Sequence, residues 1–289
     1  MNETLREIFA SDFLLRNSLY LSLVVGLGCP LIGIFLVLRR LVFLGVALPQ
    51  ISATGVALAL SVHVLAGHET GLHNVDPHNL AMAGSVGFAL LAVIGWAAMD
   101  RRGGGIAEGR IGASYVIATA ASILLLAKCP QAEQSWLSLF KGEIIALSSI
   151  DLVMTAVVIT IALAALFIFR RDFLLVSADP EMALSLGKRV TLWNVALYLI
   201  IGATMGVVVL CAGPLIAFGF MLIPPLIAHR LSSNLRQLAV IASIVGVFAA
   251  LTGFVIAYHW DLPVGPTDVA LLGVLYLMSI GVKLLRRQG

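Results

Sequence analysis

Long apolar runs separated by short polar breaks fill this chain. Runs of about 20 residues rich in Leu, Ile, Val and Ala, the length that crosses a bilayer's ~30 Å hydrocarbon core as a helix, recur along its 289 positions. Polar and apolar residues do not alternate within the runs, so a closed barrel is excluded and helices must satisfy the backbone in lipid. The pattern predicts an all-α, polytopic transmembrane bundle of about nine spans near 14–38, 45–66, 80–99, 111–128, 148–169, 190–211, 213–228, 238–257 and 269–285. The stretch 190–228 is the least regular. Ala212-Gly213-Pro214 is a chain breaker, so the stretch reads as two spans or as one long broken helix. Its second part is short and ends at Pro224-Pro225. Interrupted helices often line pathways because their freed carbonyls need water or protein; a plain tight hairpin is the alternative.

Composition strengthens this picture. The chain is 60% hydrophobic and 11% charged, with mean hydropathy +1.05, against about 25% charge in a soluble domain. One soluble core cannot hide such a surplus, so residues 1–289 read as a single membrane domain without a soluble one. No low-complexity tract or convincing internal repeat interrupts it. Gly26, Gly28 and Gly33 in the first span, and Gly202 and Gly206 in the sixth, permit close helix approach in lipid. Cys29, Cys129 and Cys211 have no metal-type spacing and form no obvious disulfide set. The first twelve residues carry three acids and one Arg, which does not suit the basic start of a signal peptide.

The net charge of +3 says little, but its distribution says much. With nine spans, Arg39, Arg40, Arg101, Arg102, Arg110, Arg170, Arg171, Lys188, Arg189, Arg230, Arg236, Lys283, Arg286 and Arg287 share one side. Only Arg6, Arg16, Lys128 and Lys141 take the other. The positive-inside rule then places the N-terminus outside and the C-terminus in the cytoplasm of a cell (inner) membrane.

Several residues could carry chemistry. On the inner side, Asp179 can cap a short helix, Pro180 suits its first turn and Gly187 its end. Met182, Ala183, Leu184 and Leu186 give that helix an apolar face for a partner, for the bilayer or for its own bundle. On the outer side, His63, His68, His73 and His78 recur every five residues, with Glu69 and Asp76 among them. Five residues turn a helix by about 140°, so they share no stripe. A loop could still gather them on a borderline cation such as Zn²⁺, with scattered polar residues as the competing reading. Asp151 and Asp268 open the fifth and last spans. Each is a pathway candidate or a carboxylate favoured by a helix N-terminus. Asp261-Leu-Pro-Val-Gly-Pro266 is an outer turn, either a rigid connector or a contact for a delivery protein.

Together, several segments resemble the permease subunits of metal-importing ABC transporters, the zinc/manganese/iron ABC-3 family. They are Arg39-Arg40-Leu-Val-Phe-Leu-Gly45 with Gly55-Val-Ala-Leu-Ala59, the inner helix with Glu181, Ala183 and Gly187, Ala212-Gly-Pro-Leu-Ile through Met221-Leu-Ile-Pro-Pro225, and Asp261 to Pro266. The resemblance covers nearly the whole chain. It implies a permease of an ATP-driven importer for zinc, manganese, iron or a metal chelate. The inner helix (Asp179, Glu181, Ala183, Leu184, Gly187) would dock on a separate ATP-binding subunit carrying ATP and Mg. An extracytoplasmic substrate-binding protein and a second copy of the chain complete the implied assembly, with lipid around it and no nucleic acid.

The chain itself has no G-x-x-x-x-G-K-[ST] loop and is expected to hold no cofactor and to be no enzyme, although a transported metal ion can pass through it. One departure matters. Where the family's second span opens Gly-Asp-Ala-Leu-x-His, this chain reads Gly45-Val46-Ala47-Leu48-Pro49-Gln50. Asp and His at i and i+4 share a helix face; Val cannot ligate, and a Gln amide is a weak zinc ligand. Gln50 stays a pathway candidate, and the family's usual metal contact does not carry over. A secondary transporter or channel is the alternative, and it would want more charge in mid-span than this chain has.

Overall fold

The computed structural model describes residues 15–39, 41–70, 76–100, 107–128 and 148–288. Those residues form eleven helices and no strand. They are α1 (Arg16–Leu38), α2 (Val42–Thr70), α3 (Pro77–Asp100), α4 (Ala107–Ala127), α5 (Ser149–Ile168), α6 (Arg170–Ala178), α7 (Pro180–Ser185), α8 (Val190–Ala212), α9 (Pro214–Leu231), α10 (Leu235–Trp260) and α11 (Val264–Gln288). Nine are long and apolar enough to cross a membrane, in agreement with the nine apolar runs.

Burial sorts them. In their most apolar stretches α1, α2 and α8 are 67% buried and α9 is 61% buried, against 22–33% for α3, α4, α5, α10 and α11. Four helices thus make the interior and five present apolar faces to lipid. α2 packs on α3 and α4, α9 packs on α1, α10 and α11, and α8 bridges α3 and α5. Missing side chains set the closest crossings. A Cβ on Gly26 would strike Gly246 and Ala250 of α10, and one on Gly55 would strike the Gly84 carbonyl of α3. Gly33 and Gly206, expected as packing positions, sit against Met221 and Val86 in the same way. With no hydrophobic drive between helices in lipid, such backbone approach supplies the attraction.

The stretch 190–228 resolves into two helices. Gly213, between them, has φ 87°, which L side chains rarely adopt, and Pro214 opens α9 where its missing N–H costs nothing. α9 continues through Pro224-Pro225 to Leu231 instead of stopping there.

Two expectations are corrected. α2 runs on to Thr70, so His63 and His68 belong to a helix and not to the outer loop; backbone hydrogen bonding outlasts the apolar run, since Gly67 alone does not end a helix. α6 was not foreseen. Phe169 (φ −96°, ψ 19°) breaks α5, and helix resumes at once through Arg170, Arg171 and Asp172.

Contacts sort the ends of the bundle. Asn17 reaches Ser149, His78 reaches Asp151, and Leu19 packs on Phe254, so these ends lie together. The opposite end carries Arg39, Arg110, Arg170, Arg171, Lys188, Arg189, Arg230 and Arg236, together with α6 and α7. The charge asymmetry read along the chain is therefore a polarity of the folded bundle.

Candidate permeation cavity and coupling element

Val46, Pro49 and Gln50 stand at i, i+3 and i+4 on α2 and so share one face. That face, Tyr115 of α4 and Pro214, Leu215 and Phe218 of α9 line an open cavity of about 190 Å³. Pro49 lacks the N–H that would bond the Gly45 carbonyl, loosening the helix ladder here. One turn on, the Thr54 hydroxyl lies 2.8 Å from the Gln50 carbonyl and 2.9 Å from the Ala118 carbonyl, tying α2 to α4 behind the cavity. The polar side chains in the lining are the Gln50 amide and the Tyr115 hydroxyl; no carboxylate, imidazole or thiol is among the lining residues. Gln50 was a candidate from the sequence. The interrupted stretch opened by Pro214 was a pathway candidate as well, whereas Tyr115 and Phe218 were missed, because they come from helices distant in the chain and carry no local signal.

The structure pairs two separately named candidates. His78, at the start of α3, puts Nε2 2.8 Å from Oδ1 of Asp151 in the first turn of α5. Ser148 caps α5 by accepting from the Ile150 N–H, so Asp151 also sits at the favourable end of the helix dipole. Asp268 stands alone by contrast. It is fully buried on α11 against Gly253 of α10, where a Cβ would collide with its carboxylate. Neither oxygen has a hydrogen-bond partner among the described residues. Neither Asp151 nor Asp268 lines the Gln50 cavity.

His73 lies outside the described residues, His63 and His68 stand on α2, and His78 opens α3. Among the described residues no group of three His, Cys, Asp or Glu is placed to hold a metal. The expected outer turn begins at Asp261, which ends α10 in a left-handed conformation (φ 51°).

At the basic end, α7 forms as its residues dictate. The Asp179 Oδ1 accepts from the Met182 N–H at 2.9 Å, Pro180 takes the first turn, and Gly187 (φ 72°) turns the chain away. Glu181, Met182, Leu184 and Leu186 face outward, with Leu184 62% exposed. Ala183 is fully buried, which corrects its place on the expected docking face. At neighbouring positions of a helix, 100° apart, Ala183 turns to the bundle while Met182 and Leu184 turn away.

A nine-span bundle with a small, open, weakly polar cavity and a short exposed helix at its basic end is a multi-pass membrane permease. The model of the ABC 3 transport family matches residues 11–283, and the chain belongs to that family. Its permeases pair with ATP-binding subunits and substrate-binding proteins, and hydrolysis belongs to the separate ATPase.

Among its relatives, the manganese transport system membrane protein MntC of Listeria monocytogenes is 23% identical over 92% of this chain and 89% of its own length. The manganese transport system membrane protein MntB of Synechocystis is 23% identical over 93% of this chain and 82% of its own. Among solved structures, PsaBC from Streptococcus pneumoniae in complex with Fab superposes with a TM-score of 0.78 at 20% identity. It covers 96% of this chain and 94% of its own, which shows the shared fold.

Proposed function

We propose that this chain is the permease of an ATP-driven importer of a divalent transition metal, with manganese first among zinc, manganese and iron. The observation that carries this reading is α7, capped, held from within by Ala183 and exposing Met182, Leu184 and Leu186 at the basic end. The positive-inside rule makes that end cytoplasmic, where an ATPase can meet it. The His78 and Asp151 end then faces outside, where a binding protein delivers substrate. Two copies of the chain would form the pathway. Closure of the ATPase dimer would tilt the bundles between inward and outward states as a population shift.

A metal chelate is the second reading, and the cavity favours it. A bare divalent cation gains most from carboxylate, imidazole or thiolate, and the lining offers an amide and a phenol among apolar walls. A chelate brings its own ligands.

The test is uptake into vesicles holding this chain with its ATPase and binding protein. ATP-dependent entry of ⁵⁴Mn supports the first reading, and entry of the chelated metal alone supports the second. Uptake that needs no ATPase overturns both.

A further inference from the structure

The segment that would meet the ATPase, residues 179–189, is bracketed in the chain by Ser177 on α6 and Asn194 on α8. One side chain grips both. Arg39, the residue that ends α1, donates from Nε to the Ser177 Oγ at 2.8 Å and from Nη1 to the Asn194 Oδ1 at 2.7 Å. The Ser177 hydroxyl in turn donates to the Phe173 carbonyl, fixing it to α6. An aromatic layer lies beside this polar one. Phe173 is buried edge-on to Phe35 of α1 (6.2 Å) and to Trp193 of α8 (5.1 Å). Farther out, the Lys188 Nζ meets the Asp172 carboxylate at 2.6 Å and closes α6 onto the residues after α7.

Arg39 also marks the turn from α1 into α2. The Leu41 N–H bonds the Leu36 carbonyl, α2 begins at Val42, and Val46 and Gln50 follow within its first three turns. The Arg39 guanidinium therefore links both ends of the α7 segment to the turn that leads to the cavity wall. Arg suits this use: its planar fork stays charged and holds two acceptors in a fixed relation, which a Lys cannot do. Burial lowers its pKa, and Tyr198 of α8 opposes that.

We infer that Arg39 is a positioning residue for transport, the joint that transmits motion of the ATPase-docking segment to the α1–α2 turn and the cavity. This rests on the proposed ABC-import reading. The joint couples ATP hydrolysis to transport, and assembly does not depend on it, because the exposed face of α7 lies outside its grip.

The experiment uses the complete complex with its ATPase and binding protein in proteoliposomes, measuring co-purified ATPase, hydrolysis and uptake of ⁵⁴Mn, free and chelated. Wild type must first show ATP-dependent uptake; if it does not, the import reading fails and the inference falls with it. The variants are Arg39→Ala, Arg39→Lys and the double change Ser177→Ala with Asn194→Ala, which keeps the charge. In each, the ATPase is expected to co-purify and hydrolyse within twofold of wild type, while substrate carried per ATP falls at least tenfold. Wild-type stoichiometry of transport to hydrolysis in the double variant overturns the joint, even if Arg39→Ala fails to insert. Loss of ATPase binding in all three variants also overturns it, since that would make Arg39 a support for docking.

Discussion

At the scale of single residues, the cavity turns on two side chains of α2. Val46 and Gln50 share a face and wall the cavity without offering a charged ligand. Adding the missing pair tests whether this is a metal route. Val46→Asp with Gln50→His places two ligands at i and i+4, and the double variant should bind Mn²⁺ at least about tenfold more tightly in detergent titrations. Equal affinity would mean that the cavity does not receive the ion. Close packing is equally specific. Gly55→Val must push a side chain into the Gly84 backbone, and such overpacking costs about 1–3 kcal/mol. A thermal melt in detergent should show the loss; an unchanged midpoint would refute the crossing. Gln50 could be named from the sequence because it stands where the family's second-span pattern has its His. Tyr115 and Phe218 are ordinary aromatics of their own helices, and only the meeting of α2, α4 and α9 gives them a role.

At the scale of elements, the docking helix separates two substitutions that look alike in the sequence. Leu184→Asp changes an outward side chain, so the permease should fold normally and lose its ATPase on co-purification. Ala183→Arg forces a charge into a fully buried position, so it should instead reduce the yield of folded permease. The reverse pattern would invert the assigned face. Asp179→Ala removes the cap of a six-residue helix, a loss of about 1 kcal/mol. Hydrogen exchange should then quicken at Met182 while the spans keep their protection. The cap, the proline and the final glycine were legible in the sequence because each acts through its own backbone. The orientation of Ala183 was not, because it depends on which face the bundle covers. α6 was hidden for a related reason: it is held by Phe173, which packs between Phe35 of α1 and Trp193 of α8.

At the scale of the whole molecule, the basic end and the His78 end define an orientation that labelling can test. Single cysteines in a background without native thiols, one replacing Asp76 and one replacing Ser185, should react with a membrane-impermeant maleimide from opposite sides of intact cells. Labelling of both from outside would overturn the nine-span arrangement. Span number, helical class and the segregation of positive charge came from the sequence alone. Lipid solvates long apolar runs only when their backbone bonds are internal, and that requirement is local to each run. Which four helices are central, which residues line the cavity, and that His78 meets Asp151 while Asp268 meets Gly253 were decided by tertiary structure. In lipid, helices choose their partners by shape, through glycines and small faces whose complement lies elsewhere in the chain. Arg39 belongs to both levels: its charge is written in the sequence, and its two acceptors, 138 and 155 positions away, exist only in the fold.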